Sequence, residues 1–293
     1  MKRKSDITRI GLVANLDKPA SLRSAQQAQK LIARAGRQTA ADIATASAGE
    51  LKTNVYDNVL SLAREVDLIM VFGGDGTILR VVRDLRGART PILGINAGRL
   101  GFLTAAPFKD LSAALQKLWD GDFTTETRPL MEASGSCHEK PVSIHAFNDF
   151  VISHGALSRL IELEVAVNNN LLTCYRGDGL IVSSPTGSTA YSLSAGGPII
   201  SPAADVLAIT PICPHALSNR SVVVSLKSTI HVKLISEKVE TILSADGLIQ
   251  TPLNPGEAIT IRRSRRSVNL LHLGNGSFFE TVRDKLQWRG SYV

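Results

Sequence analysis

Along the first 120 or so residues, short apolar runs alternate with stretches in which apolar residues return every three or four positions. Ile10-Gly11-Leu12-Val13, Leu68 to Phe72 and Pro91 to Ile95 are unbroken runs bounded by polar residues or glycine, as expected of strands buried on both faces. Between them, Leu22, Ala25, Leu31, Ile32 and Ala35 fall at helical spacing and stop at Gly36. Ile78, Val81, Val82 and Leu85 do the same before Gly87, and Leu111, Ala114, Leu115 and Leu118 before Gly121. Alternating strands and helices predict a Rossmann-like α/β domain over residues 1–124: a parallel sheet with right-handed crossovers, whose ligands collect beyond the carboxyl ends of the strands.

From about residue 125 the period shortens to two. Ile161, Leu163, Val165 and Val167 alternate with Glu162 and Glu164 as far as the turn Asn168-Asn169-Asn170. Val222 to Val224, Val232 with Leu234, and Ile259 with Ile261 add short strands separated by Pro, Gly and Ser. Residues 125–274 therefore read as an all-β domain. Phe279, Val282 and Leu286 mark a short helix after Gly274-Asn275-Gly276.

Composition narrows the class. At 293 residues, 44% hydrophobic and 20% charged, the chain is globular and long enough for two cores. Its longest apolar runs are five or six residues, far from the roughly 20 a membrane span requires. Met1-Lys2-Arg3-Lys4 is followed by no apolar stretch of leader length, so a cytoplasmic setting is expected and no membrane partner. Cys137, Cys174 and Cys213 show no metal or disulfide spacing, and the histidines are scattered, so no protein-held metal cluster is expected. Cys137-His138 reads as a surface loop. The net charge of +7 suits anionic ligands, while only 5% aromatics and no basic-aromatic stripe argue against nucleic acid. Arg262-Arg263-Ser264-Arg265-Arg266 reads as a solvated hairpin tip.

The chemistry concentrates in a few segments. Gly73-Gly74-Asp75-Gly76-Thr77 joins a strand to a helix. Glycines there admit close backbone approach, and free N–H groups at a helix start attract anions. A carboxylate in that loop repels phosphate unless it holds a metal ion or takes a proton from the group being phosphorylated. Against this stands a simpler reading, Asp75 as a helix cap. Asn96 to Phe102 is a second loop of the same kind, expected to share one crevice with the first or to be a structural turn. Asn148-Asp149 interrupts an apolar run, either as a strand end or as a pair that bonds a sugar or base edge. Arg176-Gly177-Asp178-Gly179 is a further glycine turn, open between a surface β-turn and a site. From Leu180 to Ala204 no residue is charged, and Ser183 to Pro198 is almost wholly small. Tyr191, the single large ring in that block, suits stacking on a nucleobase.

Taken together, GGDGT at 73–77, NAGRLGF at 96–102, ND at 148–149, RGDGL at 176–180 and SPTGSTAYSLSAGGP at 184–198 resemble the NAD kinase family over nearly the whole chain. The resemblance implies an N-terminal α/β domain, a C-terminal β-sandwich domain, and a terminal helix, residues 275–293, packing back on the first. It implies transfer of the ATP γ-phosphoryl group to the 2′-hydroxyl of the adenosine ribose of NAD, giving NADP. It implies a divalent cation, Mg²⁺, and a cytoplasmic homodimer or homotetramer. By the same resemblance Asp75 is the proton acceptor, Gly73, Gly74, Gly76 and Thr77 form the phosphate loop, and Gly76 lies beside NAD. Asn148 and Asp149 hold ribose and base. Thr186, Thr189, Ala190, Tyr191, Ser192, Leu193 and Ser194 line the adenine pocket, with Arg80, Arg159, Arg176, Asp178 and Asp246 as further NAD contacts. Asp149 stands where many members carry Glu, and Leu248 lacks a polar contact some relatives make. Two rivals remain. A lipid kinase of the diacylglycerol type shares GGDGT, but the polar 183–198 block speaks against its apolar groove. A non-catalytic dinucleotide-binding regulator would lack the base.

Overall fold

The computed structural model describes residues 7–96, 98, 101–137, 140–155, 159–216, 218–237, 239–274 and 277–288. Expectations resting on Met1 to Lys4, Ala97, Arg99, Leu100, His138, Asn275 and Gly276 lie outside them. The chain divides into two compact units, Met1–Arg128 with Ser267–Val293, and Pro129–Arg266.

The first unit follows the apolar pattern. β1 (Arg9–Ala14), α1 (Pro19–Arg34), β2 (Gln38–Asp42), α2 (Ile43–Ala48), β3 (Asn54–Tyr56), α3 (Val59–Ala63), β4 (Leu68–Phe72), α4 (Asp75–Asp84), β5 (Ile92–Asn96), β6 (Ala106–Pro107) and α5 (Leu111–Trp119) succeed one another. The sheet runs β5-β4-β1-β2-β3 with every pair parallel, so all the strands open at one edge. β4 is buried at every position, which is why Leu68 to Phe72 carries no polar residue. Ile78, Val81 and Val82 of α4 are buried, and the helix ends at Leu85, with Arg86 and Gly87 at positive φ. One core joins Ile10, Leu12, Phe72 and Ile95 to Ala28 and Ile32 of α1 and to Leu115 and Leu118 of α5.

β7 (Phe123–Cys137) leads into the second unit, a sandwich of two largely antiparallel sheets. β8 (Lys140–Ala146), β9 (Asp149–His154), β10 (Ile161–Val167), β11 (Asn170–Gly177), β12 (Gly179–Ser183), α6 (Tyr191–Ser194), β13 (Val206–Ile212), β14 (Val222–Ser225), β15 (Ile230–Leu234), β16 (Thr241–Ala245), β17 (Ile249–Leu253) and β18 (Ala258–Leu273) follow. One sheet runs β14-β13-β12-β9-β16-β17, and the other pairs β11, β10, β15 and the start of β18. Inward residues of both, among them Phe150, Ile152, Leu163, Val165, Val232 and Ile261, make one core. The final stretch of β18 pairs parallel with β5 in the first unit, at Leu270 and Ile92. α7 (Phe278–Leu286) closes the described chain behind a capping box of Ser277 and Glu280, and Phe278 meets Phe102 at 6.4 Å between ring centres.

Three sequence expectations need correction. Arg262 to Arg266 is not a hairpin tip but the middle of the strand β18, where Ser264 alone turns inward and Arg262 lies 3.6 Å from Glu132. Cys137 is no surface residue. It is 2% exposed at the end of β7, where burial and then the charge of Glu257 push its thiol up to about 11. Arg176 to Gly179 is not a β-turn either. β11 ends at Gly177 and β12 begins at Gly179 in the other sheet, so the segment is a corner between sheets.

Candidate active site

In the first unit only Gly73 and Gly74 separate β4 from α4. Gly73 N–H donates to Ile95 O at 3.0 Å, which stitches the loop to the end of β5. Asp75 is the first residue of the helix, yet its carboxylate does not cap it. Oδ2 accepts from Phe102 N–H at 3.0 Å and Oδ1 from Leu103 N–H at 3.1 Å. The second glycine loop therefore grips the side chain of the first. Gly101 makes this possible, because a Cβ built there would stand 2.0 Å from Asp75 Oδ1 and 2.7 Å from its Cγ. Gly101 N–H in turn donates to Thr104 Oγ1 at 2.7 Å.

Both loops line one cleft of about 800 Å³, as their place after strands predicts, together with Asp17, Lys18, Arg23 and Lys285. None of these four carries a motif. Their only signal is position: Asn15-Leu16-Asp17-Lys18 follows the end of β1 and precedes Pro19 at the start of α1. Asn15 braces the glycine loop from behind, its N–H on Phe72 O at 2.9 Å and its Nδ2 on Thr77 Oγ1 at 3.2 Å. Gly76 is exposed, whereas Thr77 is buried beneath the loop. The cleft thus offers glycine backbone, the first N–H groups of a helix and three cationic side chains around two carboxylates, Asp17 and the backbone-held Asp75, a setting for a polyanion and a proton acceptor together.

In the second unit, Phe147 and Asn148 bridge β8 and β9, and Asp149 opens β9. Asp246 sits at positive φ in the turn after β16. Its carboxylate accepts from three successive backbone N–H groups: Phe147 at 2.8 Å, Asn148 at 2.7 Å and Asp149 at 3.2 Å. Oδ1 takes two of these bonds and Oδ2 one, and together they hold the Asn-Asp pair. Burial raises the Asp246 carboxyl against the lowering effect of those bonds. Asp149 is 4% exposed, and burial, then the neighbouring Asp246 charge, push it up to about 7. Asn148 Oδ1 is buried without a partner among the described residues, a polar atom awaiting a donor.

The uncharged block packs on this pair. Ser184 Oγ donates to Phe147 O at 2.6 Å, and Ser184 N–H to Asn148 O at 2.9 Å. A Cβ at Gly187 would fall 2.0 Å from Asn148 O, so only glycine fits. Thr186 is buried, Ser192 is buried with its hydroxyl 3.1 Å from that of Thr210, and Thr189, Ala190 and Leu193 are half-buried. Tyr191 and Ser194 face solvent, Tyr191 being 47% exposed. Arg159 and Arg176 are exposed, Arg176 lying 3.6 Å from Glu162, and Asp178 stands 4.0 Å from His154 Nε2. Asn148, Asp149, Asp246 and residues 184–188 form one bonded cluster, whereas Arg80 belongs to the first unit, where its Nη2 donates to Ala14 O at 3.1 Å.

Residues 10–123 match the ATP-NAD kinase N-terminal domain and residues 147–273 the ATP-NAD kinase C-terminal domain. The NAD kinase of Moorella thermoacetica is 41% identical over 97% of this chain and 90% of its own length. That of Heliobacterium modesticaldum is 38% identical over 95% and 98%. Among solved structures, yeast NADH kinase complexed with NADH superposes with a TM-score of 0.89 at 25% identity, covering 98% of this chain and 89% of that one. An NAD kinase from Archaeoglobus fulgidus in complex with ATP gives a TM-score of 0.74 at 27% identity, covering 97% and 100%.

Proposed function

The chain belongs to the NAD kinase family, whose members phosphorylate NAD to NADP with ATP, and we propose that Asp75 is the base of that reaction in this enzyme. The lipid-kinase and non-catalytic readings give way to it. A ribose hydroxyl is a poor nucleophile at neutral pH, and a positioned base contributes about 10²–10⁴-fold. As the 2′-oxygen of the adenosine ribose bonds to the γ-phosphorus, its proton passes to an Asp75 oxygen and ADP leaves. The observation that carries the assignment is the grip of Phe102 and Leu103 N–H on the Asp75 oxygens, which fixes that carboxylate in a cleft where cations outnumber acids. Each oxygen keeps a lone pair for the incoming hydroxyl.

The family generally needs a divalent cation, and we assign Mg²⁺. Such an ion would be carried largely by triphosphate and water, with the cleft carboxylates Asp17 and Asp75 at hand. Bound there, Mg²⁺ supplies neutralisation of phosphate charge.

In the second unit, Asn148 Oδ1 and Asp149 are assigned to the adenosine ribose and Tyr191 to stacking on the adenine, with Thr186, Thr189, Ala190, Leu193 and Ser194 around it. Ser192 supports this wall from inside. Arg159, Arg176 and Asp178 are assigned to outer contacts with NAD. We infer a cytoplasmic homodimer or homotetramer; free cysteines and the absence of any membrane-spanning helix among the described residues accord with the location. The test is Asp75→Asn with ATP, Mg²⁺ and NAD, reading NADPH through a coupled dehydrogenase. Turnover should fall by about two orders or more with NAD affinity within several-fold. Near-normal turnover overturns the assignment.

A further inference from the structure

The first unit holds a second cavity, of about 380 Å³, lined among others by Asp42, Asp57, Asn58, Arg80, Asp84 and Arg86. Asp42 ends β2, Asp57 and Asn58 follow β3, and the rest come from α4 and its end. The cavity therefore sits at the open edge of the parallel sheet, where nucleotides bind, and an acid closing the second strand of such a sheet is placed to accept ribose hydroxyls. Asp42 is 5% exposed, and its Oδ1 has no hydrogen-bond partner among the described residues. Although it precedes α2, its side chain does not cap that helix. A buried carboxylate oxygen without a donor calls for one.

Charge distinguishes the two cavities. Lys18, Arg23 and Lys285 outnumber Asp17 and Asp75 in the cleft, while Asp42, Asp57 and Asp84 outnumber Arg80 and Arg86 here, which makes this cavity the less suited to phosphate. A ligand spanning both would place its phosphates in the first and a hydroxyl-bearing end in the second. The two are neighbours. Asp75 and Arg80 share α4, five positions and about 7.5 Å of rise apart. Arg80 Nη2 is anchored on Ala14 O, one residue before the Asn15 that braces the glycine loop. The volume lies within the roughly 300–1,000 Å³ of small-molecule sites.

We propose that this cavity seats the nucleoside of the phosphoryl donor, with Asp42 accepting from a ribose hydroxyl and the Arg86 guanidinium lying on the base at the rim. The proposal rests on the kinase reading above and adds to it a place for the nucleoside of the donor. It is tested on the full chain with Asp42→Ala and Arg86→Ala, by calorimetry of Mg²⁺ with the β,γ-imido analogue of ATP and, separately, with tripolyphosphate. Each variant should weaken analogue binding about tenfold and leave tripolyphosphate binding unchanged. Wild type should prefer ATP to 2′,3′-dideoxy-ATP about tenfold in KM, and Asp42→Ala should lose the preference. The melting temperature of unliganded Asp42→Ala should not fall, since it removes a buried group with no partner. Unchanged analogue affinity in Arg86→Ala, with equal use of the two triphosphates by wild type, overturns the proposal even if Asp42→Ala does not fold. Wild type that makes no NADP defeats the kinase reading instead, and the calorimetry still decides the cavity.

Discussion

Replacing Gly101 by alanine tests whether the second glycine loop exists to aim the Asp75 carboxylate, the base proposed above. The new Cβ would stand 2.0 Å from Asp75 Oδ1, 2.7 Å from Cγ and 2.9 Å from Oδ2. The three nearest atoms that a Cβ at Gly101 would meet all belong to the Asp75 side chain, so the steric effect falls on that carboxylate. Real contacts of this kind do not close below 3.0 Å. The carboxylate must therefore retreat by about 1 Å, a displacement that costs about 100-fold when it misplaces a reacting group. Retreat also gives up the bonds from Phe102 and Leu103 N–H, at 3.0 and 3.1 Å. Because the displaced atoms end a short, half-buried side chain, folding should suffer little, about 1 kcal/mol. Coupled NADPH assays should show kcat down about 100-fold with KM for NAD within threefold, and thermal melting should remain cooperative. In an Asp75→Asn background the same change should cost little further, since the effects share one group. A Gly101→Ala enzyme with kcat within twofold of wild type would refute the steric coupling, as would full additivity in the double variant.

Three further outcomes follow from the second unit. The Asp149 carboxyl sits at about 7, above its unfolded value near 4, so folding takes up a proton; this stabilisation is whole below about pH 4 and lost as pH rises through about 7, of order 4 kcal/mol. Asp149→Asn should flatten that loss, gaining melting temperature on wild type at pH 8 relative to pH 5, and parallel pH profiles would contradict the burial argument. Gly187→Ala drives a Cβ to 2.0 Å from a backbone oxygen that cannot swing aside, and urea unfolding should show about 3 kcal/mol or more lost. Tyr191→Ala removes a ring that is 47% exposed, so stability should hold within about 0.5 kcal/mol while NAD affinity by calorimetry weakens by about 1–3 kcal/mol.

What was legible in the sequence shares one physical origin: backbone that must come close to something. Gly73, Gly101 and Gly187 each leave no room for a Cβ, and each sits in a segment that stands out before any coordinates are seen. Continuous apolar strands were legible for a related reason, since β4 is covered on both faces and tolerates nothing polar. β2 and β3 were not. Gln38-Thr39-Ala40-Ala41-Asp42 has weak strand preference, and its conformation comes from pairing with β1 on one side and β3 on the other. The arginines of β18 misled for the opposite reason, because a charge cluster signals solvent without distinguishing a loop from an exposed strand.

Side chains that act singly left the least trace. The resemblance makes Asp246 an NAD contact, and nothing in residue order shows that its carboxylate also holds backbone N–H groups nearly 100 positions away. Asn15 braces the glycine loop, and Lys18, Arg23 and Lys285 reach the cleft from a loop, a helix and the far end of the chain, with no spacing to betray them. A carboxylate that must hold a peptide, or a cation that must meet phosphate, needs only to arrive at the right point in space, and any element can deliver it. A loop that must touch phosphate and a side chain at once has few compositions open to it. That asymmetry explains why the loop around the Asp75 carboxylate could be read from residue order while its supporting shell required the fold.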